Sequence, residues 1–465
     1  MIPLQKREHA PSVLVAALSA AFGVSLLQLT GVLGTAIAAD DVTGSSRTVG
    51  LMLGIVAVIF IGIAVYVGAI VTANTFATII AGRTRTIALL RLIGSSAKTQ
   101  RRAVAREGLG VGVVGAVLGA IVGTLATIAM TWIAIGSGWL PELAYSYLSP
   151  VLALPVVAVV LTTWAASWVG SRRVLVVTPM QAIGGSQERA PEELTGRART
   201  ATAVSLSVTG GVLLVLGIAL GLVSPFGVLV AFAGGIVSFS GLIAAAPMIM
   251  PPALRFVARA FGGSATGRLA GENAMRYPER SARTTIGLVI GVTLITMFGV
   301  AVASYSRIIA LAQQAQPEVY LGIDEMMNAT VAVFSVLIGF SALIAAVGMA
   351  NNLSLSVLQR TRELGLLRAL GFTARQIRGM ILAESAQLTL AAVLVGLILG
   401  AFYGWAGAQS LLGAIDGSPG LVVPGVPWVL LGVIAVAAAL LTWGASLAPS
   451  RRATRVTPVA ALAVD

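Results

Sequence analysis

The sequence predicts an all-α polytopic membrane protein of about ten transmembrane helices, built as two four-helix repeats around a two-helix linker, with minimal extracytoplasmic material. Three observations carry this expectation. First, 57% of the residues are hydrophobic and only 10% charged, against roughly 25% charged in a soluble protein. Second, several apolar runs exceed the ~18 residues that a helix needs to cross a bilayer. They are continuous rather than alternating, which selects helices over a closed barrel. Third, if the N-terminus is inside, every Lys and Arg except Arg47 and Arg307 falls in segments on that same side. This bias sets the orientation and puts both termini in the cytoplasm.

The candidate spans are 11–39, 49–80, 108–133, 150–170, 202–222, 226–250, 284–306, 327–352, 382–408 and 427–449. Lys6 and Arg7 precede the first. Its apolar region is longer than the ~7–15 residues of a signal peptide, so it reads as an uncleaved span. The third span carries Gly115, Gly119 and Gly123 at intervals of four. Such a stripe lets two membrane helices approach closely, here most simply within the chain. Trp139, Tyr145 and Tyr147, in the loop after this span, suit the headgroup region. A polar linker, 184–201, separates the first repeat, 1–183, from two linking spans in 202–250. Ser224, Pro225 and Phe226 form a short turn between those two spans, and Pro251 and Pro252 are read as stopping the second. The second repeat occupies 251–465 and carries Gly396, Gly400 and Gly404 in its ninth span.

The repeats are marked by two basic segments. Gln359–Glu384 reads QRTRELGLLRALGFTARQIRGMILAE. Leu364, Leu367 and Leu370 recur at helical spacing, so Glu363–Leu370 can lie on a membrane surface with leucines down and arginines out. Gly371 ends that helix, because glycine tolerates positive φ. Thr373 to Gln376 reads as a capping box starting the next. The result is an elbow: surface helix, bend, membrane helix.

Shifted by 277 positions, Arg83, Arg85, Leu90, Arg91, Gly94 and Glu107 meet Arg360, Arg362, Leu367, Arg368, Gly371 and Glu384. Ala73-Asn74 meets Ala350-Asn351, and Gly119 and Gly123 meet Gly396 and Gly400, in the same register. Each repeat also leaves its last span through Ser-Arg-Arg, at Ser171 and at Ser450, followed by a Val-Thr-Pro segment. Chance is a poor explanation for so many matches.

The chemistry of the chain excludes several function classes. The net charge of +13 follows topology and does not form a nucleic-acid stripe, although it can attract anionic lipid headgroups. There is no cysteine, and the single histidine, His9, sits in the N-terminal tail, so no metal site is indicated. No Gly-x-x-x-x-Gly-Lys-Ser/Thr loop is present, which removes that route to ATP. No nucleophile sits beside an obvious base. Carboxylates deep inside spans, the mark of an ion path, are almost missing. Glu107 and Glu384 lie at the inner ends of their spans and read as caps or partners of elbow arginines.

The second elbow resembles the signature of FtsX-like permeases, the family that includes MacB- and LolCE-type ABC transporter membrane subunits. The residues that carry the resemblance are Asn351, Arg360, Arg362, Glu363, Gly365, Leu367 to Gly371, Gln376, Ile377 and Glu384. The stretch Glu272–Arg280 is similar to the segment preceding the family's first span. The first copy departs from the pattern, with Thr86 for the acidic residue and Ala88 for the glycine.

The resemblance implies the permease subunit of a bacterial ABC transporter in the cytoplasmic membrane. A cytoplasmic ATPase dimer would dock on Arg83, Arg85, Arg91 and Gly94 in one elbow and on Arg360, Arg362, Glu363, Arg368 and Gly371 in the other. ATP and Mg would reside in that partner, with no cofactor in this chain, which would not itself be an enzyme. Export or membrane extraction of a hydrophobic, lipid-like or peptide compound fits the short outer loops. The alternative is a signalling or scaffold protein that regulates an extracytoplasmic partner such as a cell-wall hydrolase.

Overall fold

The computed structural model describes residues 6–39, 47–82, 89–90, 92–138, 140–171, 197–260, 265–276, 278–318, 331, 339, 371–437 and 440. All regular structure among the described residues is helical. Eight of the described helices are long and apolar enough to cross a membrane. The expected span at 327–352 and the end of that at 427–449 lie outside the described residues; the latter begins as the apolar helix Trp428–Ala437. The chain divides into two compact units, Met1–Gln187 with Asp324–Ile344, and Glu188–Ile323 with Ala345–Asp465.

The first unit contains α1 (Lys6–Ala38), α2 (Arg47–Gly82), α3 (Ala97–Gly136) and α4 (Ala153–Gly170), the last reached through a 3-10 turn at Pro150–Leu152. Helices α1, α3 and α4 share a core of Ala16, Ala20, Ala116 and Val159. The core is made of small residues because glycines let the backbones touch. A Cβ on Gly115 would lie 3.0 Å from the Val13 carbonyl oxygen, and one on Gly123 would lie 2.7 Å from that of Ala21. At Gly119 it would collide with the Ala17 carbonyl. Gly108 and Gly112 make a second close face, against Ser167 and Thr163 of α4. Polar side chains lock the pairs: Ser25 Oγ donates to the Gly123 carbonyl at 3.0 Å. Gln28 Nε2 reaches both Thr124 Oγ1 (3.0 Å) and the Tyr147 carbonyl (2.8 Å), which ties the loop after α3 to α1.

The second unit contains α5 (Arg197–Gly221), α6 (Gly227–Ala260), α7 (Ala265–Arg276), α8 (Pro278–Ala315) and α9 (Ala374–Leu412). The turn between α5 and α6 lies at Ser224 to Phe226, where Gly227 N donates to the Ser224 carbonyl. Glycines interleave along this hairpin, Gly210 against Ser238 and Gly217 against Ala231. Helices α8 and α9 pair in the same way. A Cβ on Gly396 would meet Val292 at 2.8 Å, and one on Gly400 would meet the Thr293 carbonyl oxygen at 2.6 Å. Gly404 faces the Met297 carbonyl at still closer range. The α5–α6 hairpin packs on α9: Ser238 Oγ and Tyr403 Oη are 2.9 Å apart. Leu214, Ile218, Ala231 and Ala406 form a joint cluster. At the end of the bundle remote from the elbow, Trp405 Nε1 donates to the Val422 carbonyl at 2.6 Å. Gln409 holds the Gly420 carbonyl and the Val422 amide of the same loop.

Several boundaries differ from the sequence reading, α3 among them, which starts at Ala97 where the span was expected from 108. Pro251 and Pro252 do not stop the sixth span, because α6 runs through Pro247, Pro251 and Pro252 to Ala260. A proline inside a helix forfeits a hydrogen bond and crowds the carbonyl four residues back. In a membrane bundle, neighbouring helices hold such a segment in place. Here Met250, Leu254 and Val257 are buried in the cluster shared with α8 and α9. Likewise α8 continues past 306 to Ala315, with Ile308 and Ala312 buried.

The glycine contacts give a paired prediction. Gly119→Val forces α1 and α3 apart and lowers the stability of the purified protein by about 1–3 kcal/mol, the usual cost of overpacking. Gly110, also on α3, faces open space, with nothing within 4 Å of where a methyl group would sit, so Gly110→Ala leaves stability unchanged or slightly raised. Thermal unfolding in detergent compares the two.

Candidate functional site

The elbows are built from local rules of helix termination. In the first copy, Ile93 N bonds to the Leu89 carbonyl at 3.2 Å and Ser95 N to the Leu90 carbonyl at 3.0 Å. Gly94 lies between them with φ +98°. The bond from Ser95 back to Leu90 across a left-handed glycine is the Schellman closure of a helix. Two residues later the next helix begins. The Ser96 side chain accepts from Thr99 N at 3.1 Å and caps α3. In the second copy Gly371 has φ +95°. Thr373 Oγ1 accepts from Gln376 N at 3.3 Å, while Gln376 Oε1 accepts from Thr373 N at 2.9 Å. These are the two reciprocal bonds of a capping box, and they start α9. Gly94 and Gly371, and the caps Ser96 and Thr373, occupy matching positions 277 residues apart.

Arg83, Arg85, Arg91, Arg360, Arg362, Glu363 and Arg368 lie outside the described residues. What is described is the far side of each bend and, in the first copy, the last residues before it. There the far side carries Lys98, Arg102 and Arg106 exposed, and Leu89, Leu92 and Ile93, before Gly94, are also exposed at helical spacing. In the second it carries Arg375 and Arg378 exposed, over a buried underside of Ile377, Met380 and Ile381. With 40 and 39 residues, α3 and α9 are each about 60 Å long at 1.5 Å per residue. That is about twice the hydrocarbon thickness, so their basic ends stand clear of the apolar layer.

The two copies are anchored differently. In the first unit Arg101 Nη2 donates to the Trp168 carbonyl at 3.2 Å, and its guanidinium carbon sits 3.9 Å above the Trp168 ring. This cation–π contact fastens the start of α3 to the end of α4. In the second unit the anchor is α7. Asn273 Nδ2 donates to Glu384 Oε2 at 3.1 Å, and Gln387 Nε2 donates to the Gly267 carbonyl at 2.9 Å. Glu384 is 4% exposed and Gln387 is fully buried. Glu384 thus has a helix-borne amide partner in addition to whatever the elbow supplies. Its pairing with Asn273 was not legible as a pair, because 111 residues separate the two. Gln387 and Trp168 carried a usable signal: a glutamine inside an apolar run, and a tryptophan at a span's end. No group of three or more His, Cys, Asp or Glu residues able to hold a metal occurs among the described residues.

Two elbow substitutions follow. Gly371→Ala places a Cβ in the left-handed region, at a cost of about 1–2 kcal/mol. Thr373→Ala removes the cap at about 0.5–2 kcal/mol, and Thr373→Ser retains it. Hydrogen exchange over the first turns of α9 should quicken in both alanine variants and stay unchanged in the serine variant.

Comparison with known proteins agrees with this duplicated geometry. The FtsX-like permease C-terminal family matches residues 58–179 and again 335–458, together more than half of the chain. The chain is similar to the uncharacterized ABC transporter permease YknZ of Bacillus subtilis, at 34% identity over 151 residues, which is 31% of this chain and 34% of that protein. An uncharacterized ABC transporter permease of Methanocaldococcus jannaschii, MJ1507, is 36% identical over 80 residues, 17% of this chain and 18% of the relative. The macrolide export ATP-binding/permease protein MacB of Chlorobium luteolum is 33% identical over 105 residues, 20% of this chain and 16% of the relative. The chain therefore spans about a third or less of these relatives' lengths. With two matches that each include an elbow and its capped membrane helix, the chain belongs to the FtsX-like permease family.

Proposed function

We propose that this chain is the membrane permease of a bacterial ABC transporter and that its two elbows receive a cytoplasmic ATPase dimer. The observation that carries the reading is the repeated bend: a basic segment, a glycine at positive φ, and a capped helix that continues into the membrane bundle. A bend fixed by hydrogen bonds, as the first is on both sides of Gly94 and the second is on the described side of Gly371, transmits a push instead of absorbing it. The names of the relatives, ABC transporter permeases and a macrolide export ATP-binding/permease protein, support the same class.

In this reading the chain holds ten transmembrane helices in two FtsX-like repeats, with both termini in the cytoplasm. Arg83, Arg85, Arg91, Arg360, Arg362, Glu363 and Arg368 face the ATPase. ATP and Mg are bound by that partner. Gly94 and Gly371 set the angle at which each surface helix meets its span. The exposed row Leu89, Leu92 and Ile93 rests on the apolar side of the headgroup layer. The stripes Gly115, Gly119, Gly123 and Gly396, Gly400, Gly404 keep each driven helix against its partner. The substrate is a hydrophobic, lipid-like or peptide compound, taken from the membrane or exported across it.

Reversing the charges of Arg360, Glu363 and Arg368 together should abolish co-purification of the ATPase and leave the permease monodisperse. Retained binding would overturn the docking assignment. Since both halves are fused, native mass spectrometry should find one permease chain per two ATPase subunits; two permease chains would contradict it. ATP-dependent substrate movement in vesicles separates transport from the signalling alternative, in which ATP hydrolysis would activate an outer partner without movement.

A further inference from the structure

We propose that Glu384, Asn273 and Gln387 are positioning residues that join α7 to α9, so that α7, the root of α8 and α9 of the second unit move as one body. The proposal rests on the reading above in one respect only: the motion is taken to be driven by an ATPase.

Three polar links, two buried and one part-buried, make the joint. Asn273 donates to the Glu384 carboxylate, and Gln387 donates to the Gly267 carbonyl one helical turn further along α9. Next to Asn273, at the C-terminal end of α7, Ser281 Oγ of α8 donates to the Ala274 carbonyl at 2.6 Å. An apolar seam runs beside them, with Ala270 of α7 against Ile377, Met380 and Ile381 of α9, and Phe372 packed at the bend itself. Gly271 permits the approach, since a Cβ there would lie 3.2 Å from Gln387 Oε1 and 3.3 Å from Ala258 Cβ. Sliding α7 along α9 would strip partners from groups that water does not reach, and a buried polar group that loses its partner is costly. The joint therefore resists shear, whereas an apolar seam alone would allow it. Residue 278 begins α8 only two positions after α7 ends, so a displacement of α9 reaches the root of α8 through α7 as well as through the direct contact of α8 with α9.

The first repeat lacks this device in its sequence. Gly110 stands where Gln387 stands, and α3 is fastened instead to α4 through Arg101 and Trp168.

The chain has no cysteine, so spin labels can be placed singly. Labels at Leu269→Cys on α7 and Leu390→Cys on α9, both at exposed side chains, report the joint by pulsed electron paramagnetic resonance. In the full chain in lipid nanodiscs we expect a single narrow distance distribution. It should stay in place when the ATPase is added and trapped with ATP and vanadate. Glu384→Leu should broaden it in the isolated permease, and Glu384→Gln, which keeps an acceptor oxygen for Asn273, should restore it. A distribution that shifts with nucleotide in the otherwise native chain overturns the proposal. So does one that stays as narrow in Glu384→Leu as in the parent. Failure of the ATPase to bind would instead count against the transporter reading, since the permease-only measurement still reports on the joint.

Discussion

Helices in a membrane are not pressed together by water. Lipid tails are as apolar as leucine, so bundles form only where backbones come close enough for van der Waals contact and for polar groups to pair. This constraint governs both units. In the first, Gly115, Gly119 and Gly123 lay α3 on the backbone of α1 from Val13 to Ser25; in the second, Gly396, Gly400 and Gly404 lay α9 on α8 from Val292 to Ala301. The helix that leaves each elbow is thus held backbone to backbone against a neighbour. A helix so held shifts with its neighbour as a body.

The same constraint decides where the chain can bend. Within hydrocarbon every amide and carbonyl must be paired internally. A break with free donors and acceptors can stand only at the membrane edge, and the described sides of both bends pair backbone groups. Ser95 closes on Leu90 behind Gly94, and Ser96 and Thr373 cover the first amides of α3 and α9. Pro247, Pro251 and Pro252 remain inside α6, whose inner face over the same turns, Met250, Leu254 and Val257, is buried in the cluster shared with α8 and α9.

Duplication preserved the bends but not their anchorage. Glu107 and Glu384 occupy matching positions, yet Asn273 reaches Glu384 from a helix, α7, that precedes the first span of the second repeat. Arg101 and Arg378 also match, yet Arg101 stacks on Trp168 while Arg378 lies on the exposed side of α9. The shared parts shape the bends and, through the glycine stripes, the first close helix pair of each repeat. The divergent parts are the polar side chains that tie the elbow helix to a further neighbour.

What the sequence determined by itself is local or cumulative. Helical spans come from uninterrupted apolar runs, the bends from Gly94 and Gly371 with their following caps, and the repeat from the recurrence of these signals 277 residues apart. Each depends on residues a few positions from one another, or on sums over a whole span. Which helices meet was decided by the tertiary structure. No spacing rule tells that Asn273 will face Glu384, that Arg101 will find Trp168, or that α5 and α6 will pack on α9. The endpoint of α6 was likewise settled by its neighbours, because a proline's cost depends on whether other helices hold the turn around it. Local conformation follows from short-range sterics and hydrogen bonding, whereas pairing depends on complementary surfaces that the chain brings together only when folded.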